Sequence, residues 1–165
     1  MLNSAINRSV VIRHFPLLAN DNGFEITDKS DPNYNCIAWA ANLTNIWWEP
    51  LPENSRPAYQ LDGVKTDWPF NAPYDSKLAT YIKIFENLGY QVCANGDFES
   101  GYRKVCLYGD KDGVKHAARQ LVTGKHQGIW TSKLGKEFRI NHSNPTSVNC
   151  STYGEPLQYL KMKWP

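Results

Sequence analysis

The two residues best suited to chemistry in this sequence are a cysteine, Cys36, and a histidine, His116, that follows it much later in the chain. A cysteine acts as a nucleophile in its thiolate form, and a neighbouring histidine activates it by accepting the thiol proton. The pair predicts attack on an amide or isopeptide carbonyl through an acyl-enzyme. The elements predicted around Cys36 and His116 must then bring the two side chains together.

The residues around Cys36 predict a helix start. Asp31, Asn33 and Asn35 are favoured helix N-cap types, and Cys-Ile-Ala-Trp-Ala-Ala follows them directly. We expect a helix that begins near Asn35, with Cys36 in its first turn. Unpaired N–H groups at that position would lower the pKa of the thiol and could receive an oxyanion.

His116 opens a predicted strand, and a third residue is needed to orient it. The hairpin that follows folds the next strand back so that Ser132 falls close to the position opposite His116. Ser132 is a weak orienting group, since that strand holds no Asp, Glu or Asn. His142, or Asn141 beside it, is the alternative from the next segment. The sequence leaves this choice open.

Substrate-binding candidates flank these residues. The adjacent tryptophans Trp47 and Trp48 lie in a proline-rich stretch that runs to Pro73, and adjacent exposed tryptophans are costly. They therefore either pack over the core or form a wall of the substrate cleft. The full set of candidates is Asn35, Trp39, Trp47, Trp48, Trp130 and Lys133.

The elements predicted around the candidate pair are helices first and strands afterwards. An apolar stripe over Asp75 to Leu88 predicts a second helix, which Asp75 or Ser76 would cap and Gly89 would end. Strands are predicted over 90–93, 103–108, 114–122 and 129–134, followed by a short strand or turn around 138–142 and a tail that ends in Leu157–Leu160. This order favours an α+β class. We expect a single domain over 1–165, with an N-terminal arm and loop over 1–33 and a core over 34–165.

Composition excludes several function classes. Hydrophobic residues make up 41% and charged residues 21% of the 165. The net charge is +2 and the basic residues are scattered along the chain, which argues against nucleic-acid binding. Four cysteines without a CxxC pair argue against zinc, and no cofactor is predicted. No apolar run fits a membrane helix or a signal peptide, so we expect a cytoplasmic protein, or one exported by a route that needs no signal peptide.

Short motifs resemble a known superfamily. The run Asn35–Ala40, Asn-Cys-Ile-Ala-Trp-Ala, resembles the active-site helix of papain-like cysteine hydrolases. A cysteine helix followed by a meander that carries the histidine is the order of their NlpC/P60 and CHAP branch. His116–Gln120 and Trp130–Gly135 resemble a pattern in small bacterial proteins with a presumed papain-like fold. The resemblance covers roughly 33–154, although the Gly-Asp dipeptide of many NlpC/P60 enzymes is only echoed at Gly109-Asp110.

This resemblance implies a papain-like α+β fold, with an N-terminal cysteine helix and a second helix packed on an antiparallel β-meander. It implies an amidase- or peptidase-type thiol hydrolase that acts on a peptide, protein or peptidoglycan-like substrate, as a bacterial effector or toxin with an inhibitor or immunity partner. A glutamine deamidase or transglutaminase-type protein modifier is a variant of the same chemistry. The rival hypothesis is a non-catalytic papain-like binding module for peptide or glycan.

Overall fold

The computed structural model describes residues 1–51 and 63–164 and contains three α-helices in those ranges. They are α1 (Ala5–His14), α2 (Cys36–Ala40) and α3 (Leu78–Asn87). Short 3-10 turns cover Pro16–Asn20, Pro69–Asn71, Gly124–His126 and Pro145–Val148. The middle of the proline-rich stretch predicted after Trp47, residues 52–62, lies outside the described residues.

Nine strands lie in the described part of the chain. They are β1 (Glu25–Asp28), β2 (Trp47–Trp48), β3 (Thr66–Asp67), β4 (Gln91–Cys93), β5 (Tyr102–Asp110), β6 (Gly113–Gln120), β7 (Trp130–Lys133), β8 (Arg139–His142) and β9 (Glu155–Lys163). Seven of them form one antiparallel sheet in the order β1-β8-β7-β6-β5-β9-β4. The other two, β2 and β3, form a small parallel pair.

The predicted papain-like α+β fold is wrong, because the protein is mostly one antiparallel sheet with few short helices. Strand β1 lies in the stretch 20–33 that was expected to be loop. The stretch expected to be a tail, which includes 157–160, is the nine-residue strand β9. It lies between β5 and β4 and pairs with both, so the sheet is not a simple meander.

Two hydrophobic cores lie on the two faces of this sheet. Side chains alternate between the faces along each strand. Leu107 and Ala117 contribute to the first core, under α2 and α3. Tyr108 and Ala118 contribute to the second core, under α1 and the segment 145–148. His116 follows the parity of Ala118 and is paired with Tyr108, so its side chain belongs to the second face.

The local predictions for the helices hold in part. The helix α2 begins at Cys36, and the side chain of its N-cap Asn35 accepts a hydrogen bond from the N–H of Ala38 at 3.1 Å. The second predicted helix begins at Leu78 and ends before Gly89, whose φ of 105° suits a glycine. Neither predicted side-chain cap forms at its N-terminus. Across the described ranges, every helix is too short or too polar to cross a bilayer.

Candidate active site

The candidate site lies where strands β6 and β7 separate. Their register pairs only Arg119 with Thr131 and Gln120 with Trp130. Towards the start of β6 and the end of β7 the two strands are no longer paired. His116 and Ser132 lie in this unpaired part, on the same face of the sheet. Space between two strands is therefore available beside the predicted base.

Three buried side chains form a hydrogen-bonded row in this place. The Nε2 atom of His116 lies 3.0 Å from Ser132 Oγ, and Ser132 Oγ lies 2.9 Å from His142 Nε2. His142 Nδ1 in turn lies 2.8 Å from the backbone oxygen of Asn144. All three side chains are fully buried. We call these four groups the histidine relay.

The hydrogen bonds of the relay determine which ring nitrogens carry protons. Burial lowers the pKa of His142 to about 4, so its ring is neutral near pH 7. A carbonyl oxygen only accepts, so His142 carries its proton on Nδ1, and its Nε2 accepts from the Ser132 hydroxyl. Ser132 Oγ then accepts from His116 Nε2–H. The remaining nitrogen of His116, Nδ1, must hold a lone pair.

This Nδ1 atom is buried and has no hydrogen-bond partner in the described part of the chain. The ring of Tyr153 stacks on the His116 ring, with centroids 4.0 Å apart and planes 4° apart, and Tyr108 lies at 5.2 Å. Burial, and secondarily the neighbouring His142, keep the pKa of His116 well below its usual value. His116 is therefore a neutral imidazole with an unused basic nitrogen.

The thiol of Cys36 is protonated near neutral pH. Burial raises the pKa of the Cys36 thiol to about 11, although the backbone N–H of Ala117 faces the sulfur and lowers it. The nearby carboxylate of Glu49 raises the pKa further. The predicted lowering of this thiol pKa is wrong, because α2 has only five residues and the side chain is 8% exposed.

Cys36 contacts the residue next to His116, but Cys36 and His116 lie on opposite faces of the sheet. Cys36 packs in the first core with Ala117, the residue next to His116. Tyr153 connects the two, since it lines the cavity around Cys36 and stacks on His116. Within residues 1–51 and 63–164 no hydrogen bond joins the pair, because His116 Nε2 bonds Ser132 and Nδ1 bonds nothing.

A cleft of about 430 Å³ opens at Cys36. Trp47 and Trp48 line it, as one of the two sequence interpretations expected, together with Glu49. The indole N–H of Trp47 donates to Glu49 Oε2 at 2.8 Å. Both tryptophans are also buried, so they contribute to the packing and to the cleft wall at once. The cleft therefore combines an aromatic wall, a carboxylate and a thiol.

Two of the other predicted binding residues have structural contacts. Asn35 caps α2, and its Nδ2 also donates to the backbone oxygen of Trp48 at 2.7 Å, so its amide ties the cleft wall to the helix. Trp39 donates its indole N–H to Thr131 Oγ1 at 3.1 Å, across the interface between α2 and the sheet. The Asn35 amide and the Trp39 indole N–H are thus used in these hydrogen bonds and are not directed at the thiol.

Of the remaining candidates, Trp130 lies away from the cleft, whereas Lys133 lies near Cys36: burial lowers the pKa of Lys133 to about 8, and a charge on Cys36 opposes this shift. Trp130 is 1% exposed and packs in the second core. Lys133 is fully buried and donates to the backbone oxygens of Asp31 and Gly135 at 2.8 and 2.7 Å. Asn141, the alternative orienting residue, alternates with His142 along β8 and so faces the opposite side of the sheet from the relay.

Three residues that complete the arrangement carry no functional signal in the sequence. Tyr153 lies in a polar turn, and Asn144 contributes only its backbone oxygen. The carboxylate of Asp21 holds the loop that presents this oxygen: it accepts from the N–H of Ser143 at 2.9 Å, from Asn144 at 3.2 Å and from the hydroxyl of Ser147. No group of three or more metal-ligating side chains occurs within the described ranges.

Residues 25–161 match the model of a domain family of unknown function, DUF7689, and the chain belongs to this family. No curated protein and no solved structure matches the chain. Cys36 and the whole histidine relay lie inside the family domain, whereas α1 and Asp21 precede it.

Proposed function

We propose that the protein is a thiol-dependent hydrolase of the amidase or peptidase type, in which Cys36 is the nucleophile and His116 the base. One observation carries the proposal. The relay from Asn144 through His142 and Ser132 holds the proton of His116 on Nε2 and leaves a buried, unpartnered lone pair on Nδ1, while the backbone N–H of the next residue, Ala117, faces the Cys36 sulfur.

A histidine with only a packing role does not account for this arrangement. Buried polar atoms in folded proteins are nearly always hydrogen-bonded, and an unsatisfied one costs about 1–3 kcal/mol. Three successive hydrogen bonds keep the unsatisfied atom a base rather than a donor. Such exceptions concentrate at sites where the free group is used.

The proposed reaction begins with transfer of the Cys36 thiol proton to His116 Nδ1. The sulfur attacks the amide carbonyl carbon, and the tetrahedral adduct collapses by breaking the C–N bond. The leaving amine takes the proton from His116, and a thioester remains on Cys36. Water then attacks the thioester carbonyl and gives one proton to His116, which returns it to the departing thiolate, so that a carboxylic acid and the free enzyme form.

The thiol is protonated at rest, since its pKa is about 11. The proton transfer therefore accompanies attack on a bound substrate, and no thiolate is preformed. The N–H groups of Ala117 and Ile37, which face the sulfur, stabilise the charge that develops on it. Substrate also displaces water from the cleft, which strengthens these interactions.

The aromatic wall of Trp47 and Trp48 suits a peptide-like or glycan-linked chain, and the Glu49 carboxylate suits a cationic group near the scissile amide. A peptide, a protein or a peptidoglycan-like polymer is the proposed substrate class. A glutamine side chain would give deamidation by the same steps, with ammonia as the leaving amine, or transamidation when an amine replaces water.

The test is capture of the acyl-enzyme. The protein is incubated with a panel of peptide amides, with lysine, glutamate or glutamine beside the scissile bond, and intact mass and peptide mapping locate any thioester. We expect acylation at Cys36, absent in Cys36→Ala and lost in His116→Asn, and unchanged in the control Cys150→Ser. Full turnover by Cys36→Ala refutes the mechanism.

A second candidate function is a non-catalytic binding module that uses the same cleft. The raised pKa of Cys36 and its lack of a hydrogen bond to His116 favour it. In that case the peptides of the panel bind with equal affinity to the wild type and to Cys36→Ala, and Trp47→Ala weakens both equally. Binding without any acylation would replace the hydrolase by this module.

A further inference from the structure

Two arginines lie side by side on the first face of the sheet, away from the thiol. Arg103 is in β5 and Arg119 is in β6, and each is 7% exposed. Arg119 is paired with Val105, and Arg103 precedes Val105 by two residues on the same face. Such diagonal neighbours are about 7–8 Å apart, close enough for long side chains to meet.

Within residues 1–51 and 63–164, the hydrogen-bond and ring contacts of these two guanidinium groups are with neutral groups. Arg103 Nε donates to the hydroxyl of Tyr90 at 3.1 Å, and its guanidinium lies 4.0 Å from the ring of Trp164. Arg119 Nε donates to the backbone oxygen of Trp39 at 3.3 Å, and its guanidinium lies 4.4 Å from that ring. In the described part of the chain no hydrogen bond uses their Nη atoms, and no carboxylate oxygen lies within 4.0 Å.

The other two buried cations of the described residues are Lys104 and Lys133, and each has partners that offset its charge. Lys104 is 3% exposed and lies 3.6 Å from Glu99. Lys133 has no carboxylate, but it donates to two backbone carbonyls. Arginine stays charged under all ordinary conditions, and two buried like charges without a counter-ion are unfavourable.

Burial and, secondarily, the charge of Arg103 lower the pKa of Arg119 to about 10. Tyr90 opposes this shift. The same two guanidinium groups leave Nη donors unused beside a hydroxyl that accepts from Arg103 and so keeps its own proton to donate. The two guanidinium groups therefore bring positive charge and unused N–H donors together on one face of neighbouring strands, beside the Tyr90 hydroxyl.

We infer that Arg103 and Arg119, with the hydroxyl of Tyr90, form a binding site for a dianionic tetrahedral oxyanion such as the phosphate of a phosphomonoester. Two guanidinium charges match a dianion, and their paired N–H groups match the oxygens of phosphate. Trp39 and Trp164 cover the outer faces of the guanidinium groups and orient them. The site stands whether or not Cys36 is catalytic.

The test compares thermal unfolding of the full chain in sodium phosphate, sodium sulfate, sodium acetate and sodium chloride at equal ionic strength. We expect Tm to rise saturably with phosphate and sulfate, and not with acetate or chloride. Equal rises in all four salts would mean general screening and would overturn the site. A rise with acetate equal to that with phosphate would overturn the dianion class.

Variants separate the two arginines from other cations. Arg119→Gln should need at least tenfold more phosphate for the same rise in Tm, and should keep or gain stability without anion, because it removes one of two repelling charges. Arg13→Gln, at an exposed cation, should respond like the wild type. If Arg119→Gln does not fold, Arg103→Lys keeps the charge but loses the planar fork, and an unchanged phosphate response in it would refute the site.

Discussion

Replacing Ser132 by alanine tests the histidine relay directly. The Ser132 hydroxyl is the sole link between His116 and His142, and it lies 3.0 and 2.9 Å from their Nε2 atoms. Its removal leaves the Nε2–H of one ring and the Nε2 lone pair of the other without partners in a fully buried place. At about 1–3 kcal/mol for each buried unsatisfied group, the free energy of unfolding should fall by about 2–6 kcal/mol.

Urea unfolding of Ser132→Ala measures this loss, and Thr131→Val is the matched control. Thr131 is the preceding residue in β7 and faces the opposite side, where its hydroxyl accepts from the half-buried indole of Trp39. Its replacement removes one hydrogen bond and should cost only about 1 kcal/mol. If Ser132→Ala costs no more than Thr131→Val, the relay does not hold the two histidines.

Nitrogen NMR of the histidine rings checks the proton positions independently of stability. We expect the proton of His116 on Nε2 and that of His142 on Nδ1 in the wild type. In Ser132→Ala, His142 keeps its proton on Nδ1, because the Asn144 carbonyl still accepts it, whereas His116 loses its constraint. A wild-type His116 that carries its proton on Nδ1 would refute both the relay and the base assigned to the reaction.

Three further outcomes follow from the same geometry. The folded-state pKa of His142 is about 4, below its usual 6.5, so the stability contributed by its neutral ring is complete above pH 6.5 and is lost as pH falls towards 4, by up to roughly 3 kcal/mol. Urea unfolding against pH should show at least this loss, because burial lowers the pKa of His116 as well. His142→Gln should remove the His142 share of the slope and leave that of His116, while His126→Gln should leave the slope as in the wild type. Asp21→Asn should cost about 2–3 kcal/mol in urea unfolding, because an amide replaces the acceptor of several N–H and O–H bonds, and a cost below 1 kcal/mol would contradict the anchoring role. Iodoacetamide at pH 7.5 should label the more exposed Cys93 well before Cys36, whose labelling should accelerate as pH rises towards 11, and peptide mass spectrometry would contradict the buried, protonated thiol if Cys36 reacted first.

Local sequence patterns were sufficient for part of the fold. The N-cap type at Asn35 and the apolar stripe before Gly89 lie within a few residues of the helices they predict, so α2 and α3 were recognisable. Strands β5 to β8 follow each other through short turns. By contrast, β1 and β9 are defined by partners far away in the chain, and no local pattern contains that pairing. The fold class was misjudged for this reason.

For the site, residue types could be predicted but not their physical state. His116, Ser132 and His142 were each named from the sequence, whereas their connection depends on the register of β6, β7 and β8. The position of the protons depends on a backbone oxygen, that of Asn144, which has no signature in the residue type. The thiol pKa of Cys36 depends on burial, which opposes and outweighs the effect expected from a helix start.

The separation of β6 from β7 leaves a backbone N–H of β6 available to the cysteine. In an antiparallel strand the N–H groups of alternate residues point to the same neighbour, so Ala117 N–H points towards β7, as Arg119 N–H does. With β7 displaced there, the Ala117 N–H faces the sulfur of Cys36 instead. The sulfur thus lies where a β7 carbonyl would otherwise accept. Ala117 directly follows His116 in β6, so in the proposed reaction the gap in this strand pairing supplies the donor that stabilises the charge developing on the sulfur.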